Sequence, residues 1–284
     1  MKFRTAIGIF ILAILSQNVW GQTIAVSSFS NEIQDQWRLL IETGVYDQTL
    51  SATWEESRVK QFVEKLKKRK NNYKSPQLFL NYLFYKTHRK FIHNYRQHAT
   101  VADLLTNGDY DCVSGTAFYA FLLNQLKIEY IVKEFDYHVL LIIPIENETF
   151  LFEVTDPLGG FVHQTQEIEE RMEFYTKEEL PSSINQPVGN EGAVMSTKRV
   201  INNNIIFRQL IGLQHFNNAV YFYNLQKPRQ TLAEVEKALT FYDSSRINAF
   251  KQLTIETFHE LALPDPEQEN STSQTLTATS VINQ

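Results

Sequence analysis

The strongest constraint on the fold of this chain is a turn that leads directly into a helix carrying its only cysteine. The segment Asn107-Gly108-Asp109-Tyr110-Asp111 has the composition of a turn and a helix cap. Apolar residues then recur at helical spacing from Val113 to Leu126. Cys112 is therefore predicted at a helix N-terminus, where free amide N–H groups and the helix dipole stabilise a thiolate. This position favours a nucleophile; the alternative is an inert cysteine buried as a small hydrophobic residue.

The first residues have the composition of an export signal. Lys2 and Arg4 precede an apolar run from Ala6 to Leu15, and Val19-Trp20-Gly21 places small residues at the two positions that a signal peptidase reads. We predict that residues 1–21 are removed and that the mature chain is exported, to the periplasm or beyond the cell. The run is short for a bilayer, and no later stretch reaches the roughly 20 apolar residues that a spanning helix needs, so no integral membrane span is expected.

Composition and charge indicate an ordinary globular protein that is acidic overall. Hydrophobic residues make up 43% of the chain and charged residues 21%, which is typical of a folded chain. Removing Lys2 and Arg4 lowers the basic count from 27 to 25 against 32 acidic residues, so the net charge changes from −5 to about −7. No nucleic-acid partner is expected.

One basic run ends the second predicted helix, and we interpret it as a solvated helix end, with a binding patch as the alternative: Lys65, Lys67, Lys68, Arg69 and Lys70.

A single cysteine in an exported chain cannot form an internal disulfide. Cys112 must then remain a free thiol in an oxidising compartment or pair with another molecule. Because an unpaired thiol is a hazard there, its presence favours a functional use.

The order of predicted elements indicates an α+β protein. Helices precede the cysteine, and caps mark two of them: Ser75-Pro76 starts one, while Thr100 and Gly108 bound a shorter one. Beyond the cysteine helix, three segments rich in Ile, Val, Tyr and Phe predict an antiparallel sheet: Ile128 to Phe135, Tyr137 to Ile145, and Thr149 to Thr155. Residues 22–176 are thus predicted to form one domain in which the cysteine helix packs on the sheet.

A histidine and an aspartate lie at the ends of neighbouring predicted strands. If the turn is the three-residue loop Glu146-Asn147-Glu148, His138 lies directly opposite Asp156. Both would then share the face of Leu140, Ile142, Phe152 and Val154, which we expect to pack against the helices. A turn with an even number of residues would shift this pairing by one. Glu153 is the competing carboxylate, predicted on the other face, and we prefer Asp156.

These three side chains suit nucleophilic catalysis. His138 would take the proton of Cys112, and Asp156 would orient the imidazole, so that the thiolate can attack an acyl carbon. Each residue alone has a simpler interpretation: His138 as a hydrogen-bonded strand histidine, and Asp156-Pro157 as a turn before Gly159-Gly160.

The order Cys112, His138, Asp156 resembles the transglutaminase-like superfamily. The matching pieces are Tyr110-Asp111-Cys112 before a helix, Tyr137-His138-Val139 opening a strand, and Glu153-Val154-Thr155-Asp156-Pro157 closing the next. The resemblance covers residues 100–162 and implies a papain-like core. It also implies acyl transfer through a thioester, although the superfamily includes transglutaminases, peptidases, other amide hydrolases and inactive members. Val139, Leu140 and Phe152 stand where the family commonly has aromatic or tryptophan residues. An oxyanion hole would need the Cys112 N–H and a second donor, for which Tyr110 or Asn94 are candidates.

The last third of the chain is predicted to be a linker, a helical segment and a tail. Residues 177–204 have linker composition, and residues 264–284 have the composition of a disordered tail. Residues 205–263 resemble one tetratricopeptide repeat followed by a third helix. The matching positions are Ala219, Phe222, Thr231, Val235 and Ala238, with Thr231 in place of an alanine and Asp243 in place of the terminal proline. Because one repeat cannot bury its own apolar face, we expect these helices to dock on the first domain. The alternative is a surface for a protein partner.

The sequence therefore predicts an exported cysteine enzyme that acts on amide or peptide bonds of a peptide or protein substrate, with Cys112, His138 and Asp156 as its triad. Hydrolysis is favoured over cross-linking because water is abundant outside the cell, and no metal or organic cofactor is implied. The alternative is an inactive binding or scaffold protein with the same fold.

Overall fold

The computed structural model describes residues 31–44, 52–176 and 201–262. The predicted signal sequence, residues 177–200 of the predicted linker and the predicted tail lie outside these ranges. None of the helices in the described ranges combines the length and the apolar character that crossing a membrane requires.

Capping residues set the ends of several helices. Ser75 accepts a hydrogen bond from the Leu78 N–H and precedes the proline that opens its helix. Thr100 caps another helix, which Gly108 ends in the left-handed conformation at a φ of 83°. The predictions at these positions are confirmed. The helices are α1 (residues 31–42), α2 (Ala52–Lys70), α3 (Pro76–Phe91), α4 (Val101–Asn107), α5 (Cys112–Gln125), α6 (Thr165–Thr176), α7 (Phe207–Asn224), α8 (Pro228–Phe241) and α9 (Ser245–Ala262).

The predicted α+β class is confirmed, with a five-stranded antiparallel sheet. Its strands are β3 (Ile131–Phe135), β4 (Val139–Ile145), β5 (Glu148–Phe152), β6 (Phe161–Val162) and β7 (Asn202–Ile205). They lie in the order β6-β5-β4-β3-β7. Two short strands, β1 (Asn94–Tyr95) and β2 (Asp109–Tyr110), form a separate parallel pair next to the start of α5. The main core joins one face of the sheet to helices from both ends of the chain, while a smaller cluster lies under α6 on the other face.

The pairing of β4 with β5 differs by one residue from the predicted register. Leu141 is opposite Phe152, and Ile142 is opposite Leu151. The loop is the two-residue turn Glu146-Asn147 rather than a three-residue loop, and Glu146 has the positive φ, 54°, that a two-residue hairpin requires at its first position.

This shift separates the four apolar residues that we predicted on one face. Leu140 and Ile142 pack in the cluster under α6, whereas Phe152 and Val154 belong to the main core. A shift of one residue exchanges the faces of a strand, because successive side chains point to opposite sides.

The C-terminal helices share the main core with the sheet. Asn202–Asn204, predicted as linker, instead belong to β7, which pairs with β3. On β3, the buried Glu134 carboxylate accepts hydrogen bonds from the Tyr242 hydroxyl and from Arg246, at 2.6 Å. Strand pairing and this buried ion pair together attach α7, α8 and α9 to the sheet.

Candidate active site

The N-terminus of α5 is built by its capping aspartate. Asp111 is 2% exposed, and its Oδ1 accepts hydrogen bonds from the Ser114 N–H (2.7 Å) and the Ser114 hydroxyl (2.8 Å). The Asp111 carbonyl accepts from the Gly115 N–H at 3.0 Å. Among the described residues, the Cys112 N–H has no hydrogen-bond partner, so it is the donor of this first turn that remains available to a ligand.

A glycine lets α5 approach the end of β5 closely. A Cβ atom at Gly115 would lie 2.6 Å from Val154 Cγ1 and 3.1 Å from Tyr110 Cδ2. Real Cβ atoms do not come this close to a neighbouring carbon. The short distance between α5 and the sheet therefore requires a residue without a side chain at position 115.

His138 bridges the sulfur and a buried carboxylate. Its side chain, 12% exposed, lies one residue before β4. Its Nε2 lies 2.7 Å from Oε2 of Glu153, which leaves Nδ1 for the sulfur. The half-buried Cys112 lies close enough to the ring to raise the pKa of His138. The imidazole is therefore hydrogen-bonded to the carboxylate and adjacent to the sulfur.

Four donors surround the carboxylate of Glu153. Its Oε1 accepts from the Thr155 N–H (3.1 Å) and hydroxyl (2.6 Å), and its Oε2 accepts from the Tyr175 hydroxyl (2.8 Å) as well as from His138. Burial alone would raise the pKa of Glu153. The charge of His138 and the hydrogen bonds outweigh burial and lower this pKa to about 2. The carboxylate therefore stays ionised.

The pKa of the His138 imidazole is shifted in the opposite direction, upward. Burial lowers the pKa of His138, but the charge of Glu153, the neighbouring Cys112 and the hydrogen bond with Glu153 raise it to about 10. An imidazolium that persists at neutral pH can stabilise a thiolate beside it.

Asp156 does not lie against the histidine, so the predicted pairing is wrong. Its Oδ1 accepts from the backbone N–H groups of Leu158 (3.3 Å) and Gly159 (2.9 Å), and its Oδ2 pairs with Arg171 at 3.2 Å. Asp156 therefore holds a turn. Glu153 takes the place next to His138 because the shorter hairpin moves it onto the histidine's face of the sheet. The sequence signal that could have identified Glu153 is the two-residue turn Glu146-Asn147, because a turn with an even number of residues shifts the strand pairing by one.

Tyr175 is a member of the site that sequence reasoning missed. Its ring stacks on the imidazole of His138 with centroids 4.4 Å apart and planes 16° apart, while its hydroxyl donates to Glu153. Burial and the charge of Glu153 raise the pKa of Tyr175, which keeps the hydroxyl protonated as a donor. No local sequence pattern marks this residue, since it reaches the histidine only through the packing of α6 on the sheet.

The two candidate oxyanion donors have different surroundings. Asn94 is exposed and its side-chain amide donates to Asp109 at 3.2 Å, so that donor is already engaged. Tyr110 is 3% exposed and lies against Gly115. Burial and the charges of Glu153 and Asp156 raise the pKa of Tyr110, so its hydroxyl stays protonated.

Within the described ranges, no group of three or more His, Cys, Asp and Glu residues is arranged to hold a metal ion. Comparisons of the chain with protein-family models, with curated proteins and with solved structures found no match.

Proposed function

We propose that this protein is an exported cysteine enzyme with a transglutaminase-like, papain-like core that cleaves amide or peptide bonds through a thioester. The observation that carries the proposal is the position of His138, which hydrogen-bonds to Glu153 and neighbours Cys112, with the cysteine at a helix N-terminus.

The reaction begins from an ion pair in which His138 already holds the proton of Cys112, so that the sulfur is a thiolate beside an imidazolium. The thiolate attacks the carbonyl carbon of the substrate and forms the C–S bond. The Cys112 N–H donates to the oxyanion that develops on the carbonyl oxygen. The imidazolium then protonates the leaving nitrogen, the C–N bond breaks, and the acyl group remains on sulfur as a thioester.

Deacylation repeats these steps with water. His138, left neutral by acylation, takes a proton from a water molecule, whose oxygen attacks the thioester carbon. The C–S bond then breaks and the sulfur leaves as a thiolate beside the imidazolium. The products are a carboxylic acid and the regenerated ion pair. We favour water over an amine as acceptor because an exported enzyme meets water everywhere, and a peptide or protein is the expected substrate.

Glu153 acts through the histidine. Its charge, 2.7 Å from Nε2, orients the ring and stabilises the imidazolium in both half-reactions. Asp156, the residue that the family order suggests, is therefore assigned to turn structure in this chain.

The test is alkylation of the full chain by iodoacetamide at pH 6, followed by mass spectrometry of the labelled peptide. We expect Cys112 to react much faster than a model thiol, and His138→Ala to abolish the excess while leaving the circular dichroism spectrum unchanged. A peptide amide library should be turned over by the wild type and not by Cys112→Ser. Reactivity of an ordinary thiol in both wild type and His138→Ala would favour the inactive binding or scaffold protein instead.

A further inference from the structure

The helices α2 and α3 form a basic groove on the surface, which we call the α2–α3 groove. It has a volume of about 570 Å³, and five of the residues that line it are cationic: Lys65, Lys68, Arg69, Lys86 and Lys90. The sequence favoured a solvated basic end for α2, with a binding patch as the alternative. Folding adds two lysines from α3 to that run, which concentrates positive charge on a chain whose net charge is −5.

The five cations have no acidic partners within the described part of the chain, and aromatic rings hold two of them in position. The Lys90 ammonium lies 4.9 Å from the ring centre of Phe62, and the Arg69 guanidinium lies 5.5 Å from that of Tyr82. By contrast, Lys67 pairs with Glu64 at 3.0 Å, outside this groove.

Like charges crowd each other at this surface. Burial lowers the pKa of Lys90, and the charges of Lys65, Arg58 and Lys86 lower it further. Because these cations repel one another, an anion that binds among them stabilises the folded protein.

The groove lies on the side of α3 that faces away from the candidate active site. Lys86 precedes His88 by two residues, which places them on nearly opposite sides of a helix. His88 is buried, and its ring contacts Tyr110, two residues before Cys112. A ligand in the groove would therefore leave the thiol accessible.

We propose that the α2–α3 groove binds the phosphate groups of an anionic phospholipid surface. Of the two rings that line the groove, Phe62 is buried at 2% exposure, and the half-buried Tyr82 has the Arg69 guanidinium 5.5 Å from its ring centre. Single-stranded nucleic acids commonly bind through rings that are free for stacking, whereas an array of lipid phosphates requires only an array of cations. The net negative charge of the chain is repelled by the same surface, so the groove orients the bound protein.

The test measures sedimentation of the full chain with phosphatidylcholine vesicles that contain about a third phosphatidylglycerol, at low salt, against phosphatidylcholine alone. Each cation at an anionic surface strengthens binding about fivefold, so Lys65→Gln/Lys68→Gln/Lys86→Gln should bind about a hundredfold more weakly. The matched control is Lys127→Gln/Lys227→Gln/Arg229→Gln, which removes the same charge from three exposed positions outside the groove and should bind like the wild type.

Two results would overturn the proposal. The first is no sedimentation with anionic vesicles at low salt, including the case in which the groove binds soluble polyphosphate alone. The second is an equal loss in the groove variant and the control variant, because binding would then depend on net charge and not on this surface. Circular dichroism and iodoacetamide labelling of Cys112 check that both variants remain folded.

Discussion

Replacing Glu153 by glutamine should lower the reactivity of Cys112 by one to two orders of magnitude. The substitution keeps the shape of the side chain and removes its charge from a buried position 2.7 Å from His138 Nε2. A hydrogen bond to a charged group contributes roughly 1.5–3 kcal/mol, which corresponds to about a 10- to 150-fold change in rate if the interaction exists only with the imidazolium.

The pH dependence gives a second measure of the same substitution. Burial lowers the pKa of His138, and Glu153 is the largest of the contributions that raise it to about 10. Without that charge, burial dominates and the pKa of His138 falls. The alkaline limb of the activity profile, where the imidazolium loses its proton, should therefore move to lower pH in Glu153→Gln.

The assay is the second-order rate constant of iodoacetamide labelling between pH 5 and pH 10, together with peptide turnover over the same range. Asp156→Asn is the matched control, since it also neutralises one carboxylate. Asp156 bonds to Gly159 and Arg171 rather than to the histidine, so this control should change the labelling rate by less than about threefold. Loss of reactivity in Asp156→Asn with full reactivity in Glu153→Gln would refute the assignment of Glu153.

Three further predictions concern the surroundings of the imidazole. Tyr175→Phe keeps the ring stacked on His138 but removes the donor to Glu153, so labelling of Cys112 should slow by about fivefold, the effect of about 1 kcal/mol, and Tyr175→Leu should slow it more. Gly115→Ala places a methyl group 2.6 Å from Val154 Cγ1 and should lower the free energy of unfolding by about 1–3 kcal/mol in urea titrations; an unchanged midpoint would contradict the close packing. The opposite charges of His138 and Glu153 outweigh burial, so the pKa of His138 is raised from 6.5 to about 10 and that of Glu153 is lowered from 4.5 to about 2. The pair should therefore stabilise the fold fully between pH 4.5 and 6.5. That stability is lost as pH falls from 4.5 to 2 or rises from 6.5 to 10, so thermal melts of Glu153→Gln should depend less on pH in both ranges.

Local chemistry made several parts of the fold predictable. The cap residues Ser75, Thr100 and Gly108 act within one helical turn of their own position, so their effect can be predicted from the sequence. Cys112 follows the same rule, because Asp111 next to it accepts a hydrogen bond from the Ser114 N–H and so fixes the start of α5.

Strand pairing was less predictable, because one residue in one turn decides it. The same residues could form a hairpin with Glu146-Asn147 as its loop or one with a further loop residue. The two alternatives place opposite faces of β5 against the helices. The preference for Asp156 over Glu153 depended on that turn and on the order of residues in the resembled family.

The sequence by itself determined the α+β class, the helix caps and the placement of Cys112 at the start of α5, since these follow from contacts between residues close together in the chain. Only the tertiary structure decided which carboxylate accompanies His138, that Tyr175 covers the imidazole, and that α2 and α3 combine their lysines in one groove. These features arise where distant segments pack together, and such packing depends on register and shape that no single stretch of residues contains.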